Sequence, residues 1–187
     1  MNALQQEQVD LAARIEVNFK EGLNMKKIKL EKLTKESFAP FGCYYDMANP
    51  DGYCSSGLFH SFYPDRVTAR FNDEIALSPL VVKNYGEYKI DTIEYHKDTP
   101  EILIPITDDA IIHVALPSKG TPSVEQTKAF LVPKHTVVKL NPEVWHYAPL
   151  PANAKDITII IGLPVLTYKN NCIVVNLKDE EQFIIEK

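Results

Sequence analysis

The stretch Ile90-Asp91-Thr92-Ile93-Glu94-Tyr95-His96, followed by Lys97-Asp98-Thr99-Pro100 and then Glu101-Ile102-Leu103-Ile104-Pro105-Ile106, decides how this chain is read. In an extended strand the side chains alternate faces. Ile90, Thr92, Glu94 and His96 therefore share one side, and Asp91, Ile93 and Tyr95 the other. A Pro-containing bend then turns the chain into a second apolar run opened by Glu101. A carboxylate, an imidazole and a second carboxylate near one hairpin are the residue types of a metal or acid–base site.

Working outward, the same alternation recurs at short, even spacing. Strands are expected at 78–85, 87–96, 101–106, 110–116, 127–132, 135–140, 144–149, 156–162 and 172–177. Turn residues separate them: Tyr85-Gly86, Thr107-Asp108-Asp109, Pro117-Ser118-Lys119-Gly120, Pro133-Lys134, Asn141-Pro142 and Pro151-Ala152-Asn153. Upstream, Lys27 to Leu33 alternates as a half-buried strand, and Thr34 to Gly42 reads as a helical turn capped by Thr34. Residues 43–66 read as a long loop crossed by a short strand around Leu58–Phe62, and loops of this length often cover a site. Many short strands with Pro and Gly turns indicate a sandwich or barrel. The fold class is all-β.

Leu11, Ile15 and Phe19 recur at helical spacing, so residues 2–23 are expected to form a short N-terminal helix stopped by Gly22. The division expected is a helical extension over 1–24 and a β-barrel domain over 25–187, and Met25-Lys26-Lys27 resembles a natural start.

A chain of 187 residues buries enough surface to fold without a disulfide or structural metal, so a metal here would serve chemistry. The net charge of −5 argues against a nucleic-acid surface. No apolar run reaches the roughly 18 residues of a membrane span, and the first 20 residues lack the apolar core of a signal peptide. Cys43, Cys54 and Cys172 form neither a zinc spacing nor a disulfide framework, which suits a reducing cytoplasm. They read as three plain thiols.

The five histidines differ in context. His96 shares a strand face with Glu94, and His146 lies in Asn141-Pro142-Glu143-Val144-Trp145-His146-Tyr147. His113, between Ile111 and Ala115, reads either as lining the barrel or as a hydrogen-bonded core residue. His60 and His135 sit in loop or turn contexts and face solvent. Glu94–His96 also reads as a structural hydrogen-bonded pair, and Trp145-His146 as a core aromatic beside a satisfied imidazole.

Glu94-x-His96-x4-Glu101 with a distant His146 resembles the two-part metal motif of cupins, in which the first position is usually His. More narrowly, Ile93-Glu94-Tyr95-His96, Ile104-Pro105, Ala129-Phe130 and Val144-Trp145-His146 resemble ureidoglycolate lyase, as does the opening Leu30-x-x-Leu33-Thr34-x-x-Ser37-Phe38-Ala39-x-x-Gly42. The resemblance spans about residues 27–176. It implies a cupin-type double-stranded β-helix, or jelly-roll barrel. It also implies cleavage of ureidoglycolate to glyoxylate and urea, a homodimer, and a small-molecule substrate with no nucleic-acid or membrane partner. Glu94, His96, Glu101 and His146 would then hold one divalent metal (Mn, Ni, Zn or Fe), with no organic cofactor. Glu101 and His146 would be catalytic, and Lys83, His113 and Arg66 would bind substrate.

Two departures stand beside the resemblance. The bacterial lyases usually carry glutamine at the position of Glu101, and Ser55–Arg66 aligns poorly with the segment that meets the acidic substrate. Two interior carboxylates cannot both ionise cheaply, so a proton or a cation must sit between them. A metal, a substrate that is no simple carboxylate, or compensation from Arg66, Arg70 or Lys83 would settle the balance. Two other functions are compatible with the residues: a metal-dependent cupin isomerase or other enzyme acting on a small polar or sugar-like molecule, and a non-catalytic small-molecule-binding cupin. The last segment, Cys172–Leu177, reads as an edge strand exchanged between subunits, and Phe183–Ile185 reads the same way.

Overall fold

The computed structural model describes residues 25–84 and 86–187. The expected N-terminal helix lies outside the described residues. Fifteen strands are described: β1 (Lys26–Lys32), β2 (Gly42–Asp46), β3 (Ser55–Ser56), β4 (Ser61–Phe62), β5 (Ile75–Lys83), β6 (Lys89–Ile90), β7 (Thr92–His96), β8 (Glu101–Pro105), β9 (Ala110–Ala115), β10 (Thr127–Val132), β11 (Thr136–Leu140), β12 (Leu150–Pro151), β13 (Asp156–Pro164), β14 (Cys172–Asn176) and β15 (Phe183–Glu186). Two four-residue helices accompany them, α1 (Lys35–Phe38) and α2 (Thr167–Asn170).

Among the described residues the strands form a six-stranded sheet ordered β12-β9-β10-β1-β15-β6 and a five-stranded sheet ordered β2-β11-β8-β13-β5. Two small pairs, β14-β7 and β3-β4, complete the set. The two large sheets face each other across a core that contains Leu103 of β8, Ile112 and Val114 of β9, Phe130 of β10, Leu140 of β11 and Ile159 of β13. This is an all-β fold of two facing sheets.

A second core lies on the opposite face of the six-stranded sheet, where Ile111, Ala115 and Ala129 meet Ile93, Trp145 and Phe183. All six residues of β9 are therefore buried, three against each core. Burial on both faces is why its sequence reads as a continuous apolar run. The turn into α1 forms as expected: Thr34 Oγ1 accepts from the Ser37 N–H at 3.1 Å in a reciprocal capping box. It seats Phe38 with no exposed surface, edge-on to Phe130 at 5.5 Å between centroids.

Four local expectations are corrected. The strand over 87–96 breaks at Asp91, whose carbonyl accepts from the Leu177 N–H at 2.7 Å, so β6 pairs with β15 and β7 with β14. Residues 144–149 form no strand; they make two isolated pairings, Trp145 with Ala115 and His146 with Glu94. Successive residues there bond to two different strands, which no single ladder permits. The short strand expected around Leu58–Phe62 is confined to Ser61–Phe62, the far arm of the β3–β4 hairpin, and Leu58–His60 lie in its turn. Cys172–Asn176 pairs antiparallel with β7 of its own chain, and β15 runs parallel to β1.

Candidate metal centre

The site is built where β7, β8 and the 141–147 turn converge. Glu143 adopts φ +63°, and its N–H donates to the His96 carbonyl at 2.7 Å, which swings the following residues across β7. His146 and Glu94 then exchange both backbone hydrogen bonds, at 2.6 and 2.8 Å. Directly opposed residues of an antiparallel pair project to the same face, so the imidazole and the carboxylate meet. Trp145 makes the same double exchange with Ala115 and turns its indole into the second core, edge-on to Tyr95 at 4.5 Å.

Glu101, at the start of β8, points between the two histidines. Its Oε2 lies 2.9 Å from His96 Nε2 and 3.0 Å from His146 Nε2. Glu94 Oε1 is 4.0 Å from His146 Nε2. Glu94, His96 and His146 each offer a ligand atom within 4.8 Å of the others. His96, Glu101 and His146 are all buried, while the Glu94 side chain is 16% exposed.

The histidine tautomers follow from the far side of each ring. His146 Nδ1 faces the Val144 carbonyl at 2.8 Å, and His96 Nδ1 faces that of Asn171 at 3.4 Å. A carbonyl only accepts, so Nδ1 carries the hydrogen in both rings, and in a neutral ring Nε2 presents its lone pair to Glu101. Two lone pairs facing one carboxylate need a proton or a cation between them. Nδ1 hydrogen bonds of this kind are what fix metal-ligating imidazoles. Ligand atoms at about 2.1 Å from a tetrahedral ion lie roughly 3.4 Å apart. The 2.9 to 4.0 Å spacings around Glu101 and Glu94 bracket that value. Glu94, His96 and His146 therefore fit a divalent ion held by imidazole and carboxylate, with Glu101 hydrogen-bonded to both imidazoles.

The proton's side of that balance is visible in the electrostatics, which set a protonated His146 against an ionised Glu101. Burial alone would raise the Glu101 pKa, but the charge and hydrogen bonds of His146 and His96 outweigh it and bring the group to about 2. Burial would lower the His146 pKa, yet Glu101 overcomes it and raises it.

Cys172, read from sequence as a plain thiol, borders this site. It lies directly opposite His96 in the β14–β7 pair, and its Sγ–H donates to Glu94 Oε2 at 3.1 Å. Burial first, and then the Glu94 hydrogen bond, push the thiol up to about 12, so it stays protonated. No local signal in the sequence marks it, because its partner is 78 positions away.

The residues expected to bind substrate lie elsewhere. Arg66 donates to the Tyr53 carbonyl and stands 5.7 Å over the Tyr45 ring, in a groove shared with Lys35, Asp51 and Asp65. Lys83 ends β5 beside Asn84, Tyr88 and Lys89 in another groove. His113 sits on the second-core face of β9, 1% exposed, with its ring 5.9 Å from Phe183. Neither ring nitrogen has a partner among the described residues, and burial, then the charge of His146, pull its pKa to about 3. His60 and His135 are exposed, as expected. No helix among the described residues is long and apolar enough to cross a membrane.

Comparison with known proteins agrees with the motifs. The chain is 27% identical over 142 residues to a ureidoglycolate lyase of Pseudomonas savastanoi pv. phaseolicola, covering 73% of this chain and 83% of that protein. It is 25% identical over 167 residues to a ureidoglycolate lyase of Pseudomonas aeruginosa, covering 87% and 97%. Among solved structures, a Bacillus subtilis oxalate decarboxylase matches with a TM-score of 0.40 and 16% identity, over 56% of this chain and 24% of that one. A family model described as "Domain of unknown function (DUF4867)" matches residues 83–187. The resemblance to ureidoglycolate lyases thus extends over most of the chain, and the chain belongs to the DUF4867 family.

Proposed function

We propose that this protein is a metal-dependent lyase of the ureidoglycolate lyase type, acting on a 2-hydroxy acid at the Glu94–His96–Glu101–His146 cluster. The observation that carries the reading is the pair of Nε2 atoms converging on Glu101 Oε2, with both Nδ1 atoms turned to backbone carbonyls. The sequence relatives named ureidoglycolate lyase support the reaction class. A bound divalent ion would polarise the hydroxyl and carboxylate oxygens of such a substrate and ease loss of the hydroxyl proton.

The chain's own groups divide the remaining work. Glu101, held at about 2, is a weak proton acceptor at neutral pH, so its role is to hold the cation and fix both imidazoles. Glu94 keeps an open edge and is the carboxylate of the cluster that meets an entering hydroxyl. His96 and His146 orient the site through their carbonyl-anchored rings. The placement of Arg66, Lys83 and His113 away from the cluster gives them no part in this scheme.

That placement favours a second reading with the same site, a metal-dependent cupin enzyme acting on a different small polar or sugar-like molecule, since the two cations expected to hold the substrate carboxylate line other grooves. Incubating pure protein with ureidoglycolate and each of Mn, Ni, Zn and Fe, and assaying glyoxylate, separates the two. Glyoxylate release supports the first. Metal uptake without release under any ion leaves the second and removes the first.

A further inference from the structure

The bend that carries the chain from His96 on β7 to Glu101 on β8 is held from outside by one residue of a distant segment. Asn171 lies between α2 and β14, one step beyond the Cys172–His96 pair of the β14–β7 ladder. Its Oδ1 accepts from the Lys97 N–H at 2.8 Å, its Nδ2 donates to the Asp98 carboxylate, and its backbone carbonyl faces His96 Nδ1 at 3.4 Å. Three successive residues are thereby bonded to a single residue 73 to 75 positions away.

The amide sits one way only. The Lys97 N–H needs an acceptor and the Asp98 carboxylate needs a donor, and a carboxamide presents both on one planar group. A carboxylate in its place would meet Asp98 with like charge. A hydroxyl would offer one atom where two are used.

Asn171 is itself fixed. Its N–H donates to the Thr167 carbonyl at 2.9 Å, and the hydroxyl of Thr167, a buried residue, donates to the Pro164 carbonyl at 2.7 Å. Pro164 ends β13, whose Ile161 and Gly162 pair with Leu103 and Ile102 of β8. The route from Asn171 thus leads back to the strand that Glu101 opens. On the other side of the bend, the Glu143 N–H holds the His96 carbonyl at 2.7 Å. The 2.9 Å approach of His96 to Glu101 is therefore set in a segment anchored from two directions, one of them the Asn171 amide.

Fold and site depend on this amide to different degrees. Both of its side-chain hydrogen bonds are exposed, so water can replace them with little loss to the fold. The His96 ring is 2% exposed, and water does not restore its orientation.

Resting on the reading of the cluster as a metal centre, we infer that Asn171 is a positioning residue of that centre: by pinning Lys97 and Asp98 it sets how the His96 ring is presented beside Glu101, and so how tightly and in what geometry the ion is held.

The test titrates the full chain with cobalt(II), reading affinity by chelator competition and coordination geometry from the visible ligand-field spectrum. Asn171→Ala is expected to bind cobalt about 10- to 100-fold more weakly than the wild type, with a changed spectrum and a nearly unchanged Tm. Asn171→Asp should be as weak. Combining Asn171→Asp with Asp98→Asn puts an acceptor and a donor back between the two segments with their sides exchanged, and should recover most of the affinity and the wild-type spectrum. Wild-type affinity and spectrum in both single variants overturn the assignment. A loss that follows Tm and that the exchange does not repair also overturns it, since the amide would then serve the fold alone. Failure of the wild type to bind cobalt, manganese, nickel, zinc or iron overturns the metal reading itself.

Discussion

Cys172 holds Glu94: the thiol hydrogen points at Glu94 Oε2 across 3.1 Å, from the strand position directly opposite His96. Diagonal neighbours in an antiparallel pair are within reach of each other's side chains. The thiol thus fixes one carboxylate oxygen and leaves the other toward the imidazoles. Losing such an outer hydrogen bond typically costs 10- to 100-fold in metal affinity. Cys172→Ala should therefore weaken manganese or zinc binding by about that factor in chelator competition, and Cys172→Ser, which restores a donor, should recover most of it. Unchanged affinity in Cys172→Ala would show that Glu94 needs no such support.

Metal should also stabilise the fold. An ion at 100 times its dissociation constant adds about 2.7 kcal/mol, or roughly 5–10 °C in Tm for a chain of this size. The rise should appear on adding a divalent ion to chelator-treated wild type and be absent in His146→Ala. A rise of equal size in that variant would place the ion elsewhere.

His113 sets an acid sensitivity. Its folded pKa of about 3 lies below its ordinary 6.5. The unfolded chain therefore takes up a proton that the native chain refuses, and stability falls as the pH drops from 6.5 toward 3. His113→Phe removes both this titration and two unpaired ring nitrogens, whose burial costs about 1–3 kcal/mol. Denaturant midpoints at pH 7 and pH 4.5 should fall less in the variant than in the wild type. Parallel losses would contradict the assignment.

Phe38 anchors the turn between β1 and β2 with no exposed surface, against Phe41, Tyr44 and Phe130. Phe38→Ala should cost about 3–5 kcal/mol, read from urea unfolding. A loss below 1 kcal/mol would mean that the cluster closes over the gap.

Alternation and turn chemistry were enough to read the β class, the Thr34 cap and the shared face of Glu94 and His96, because each depends on neighbours within a few residues. Glu101 was also legible, since it opens the next strand after a short bend. Which strands pair is a different kind of fact. The break at Asp91 follows from β6 and β7 joining different partners, β15 and β14, which are 93–95 and 76–84 positions away. The same reason hides Cys172 from the sequence and makes Val144–Pro149 look like a strand, when Trp145 and His146 in fact bond to two different ones. His113 illustrates the limit most clearly. Its face, shared with Ile111 and Ala115, was readable, but both faces of β9 are buried, and only packing decides which core that face meets. The sequence by itself determined the β class, most of the strands and the residue types able to bind a cation. The tertiary structure decided which of them meet, because convergence at the cluster depends on backbone hydrogen bonds between segments that have no local relation.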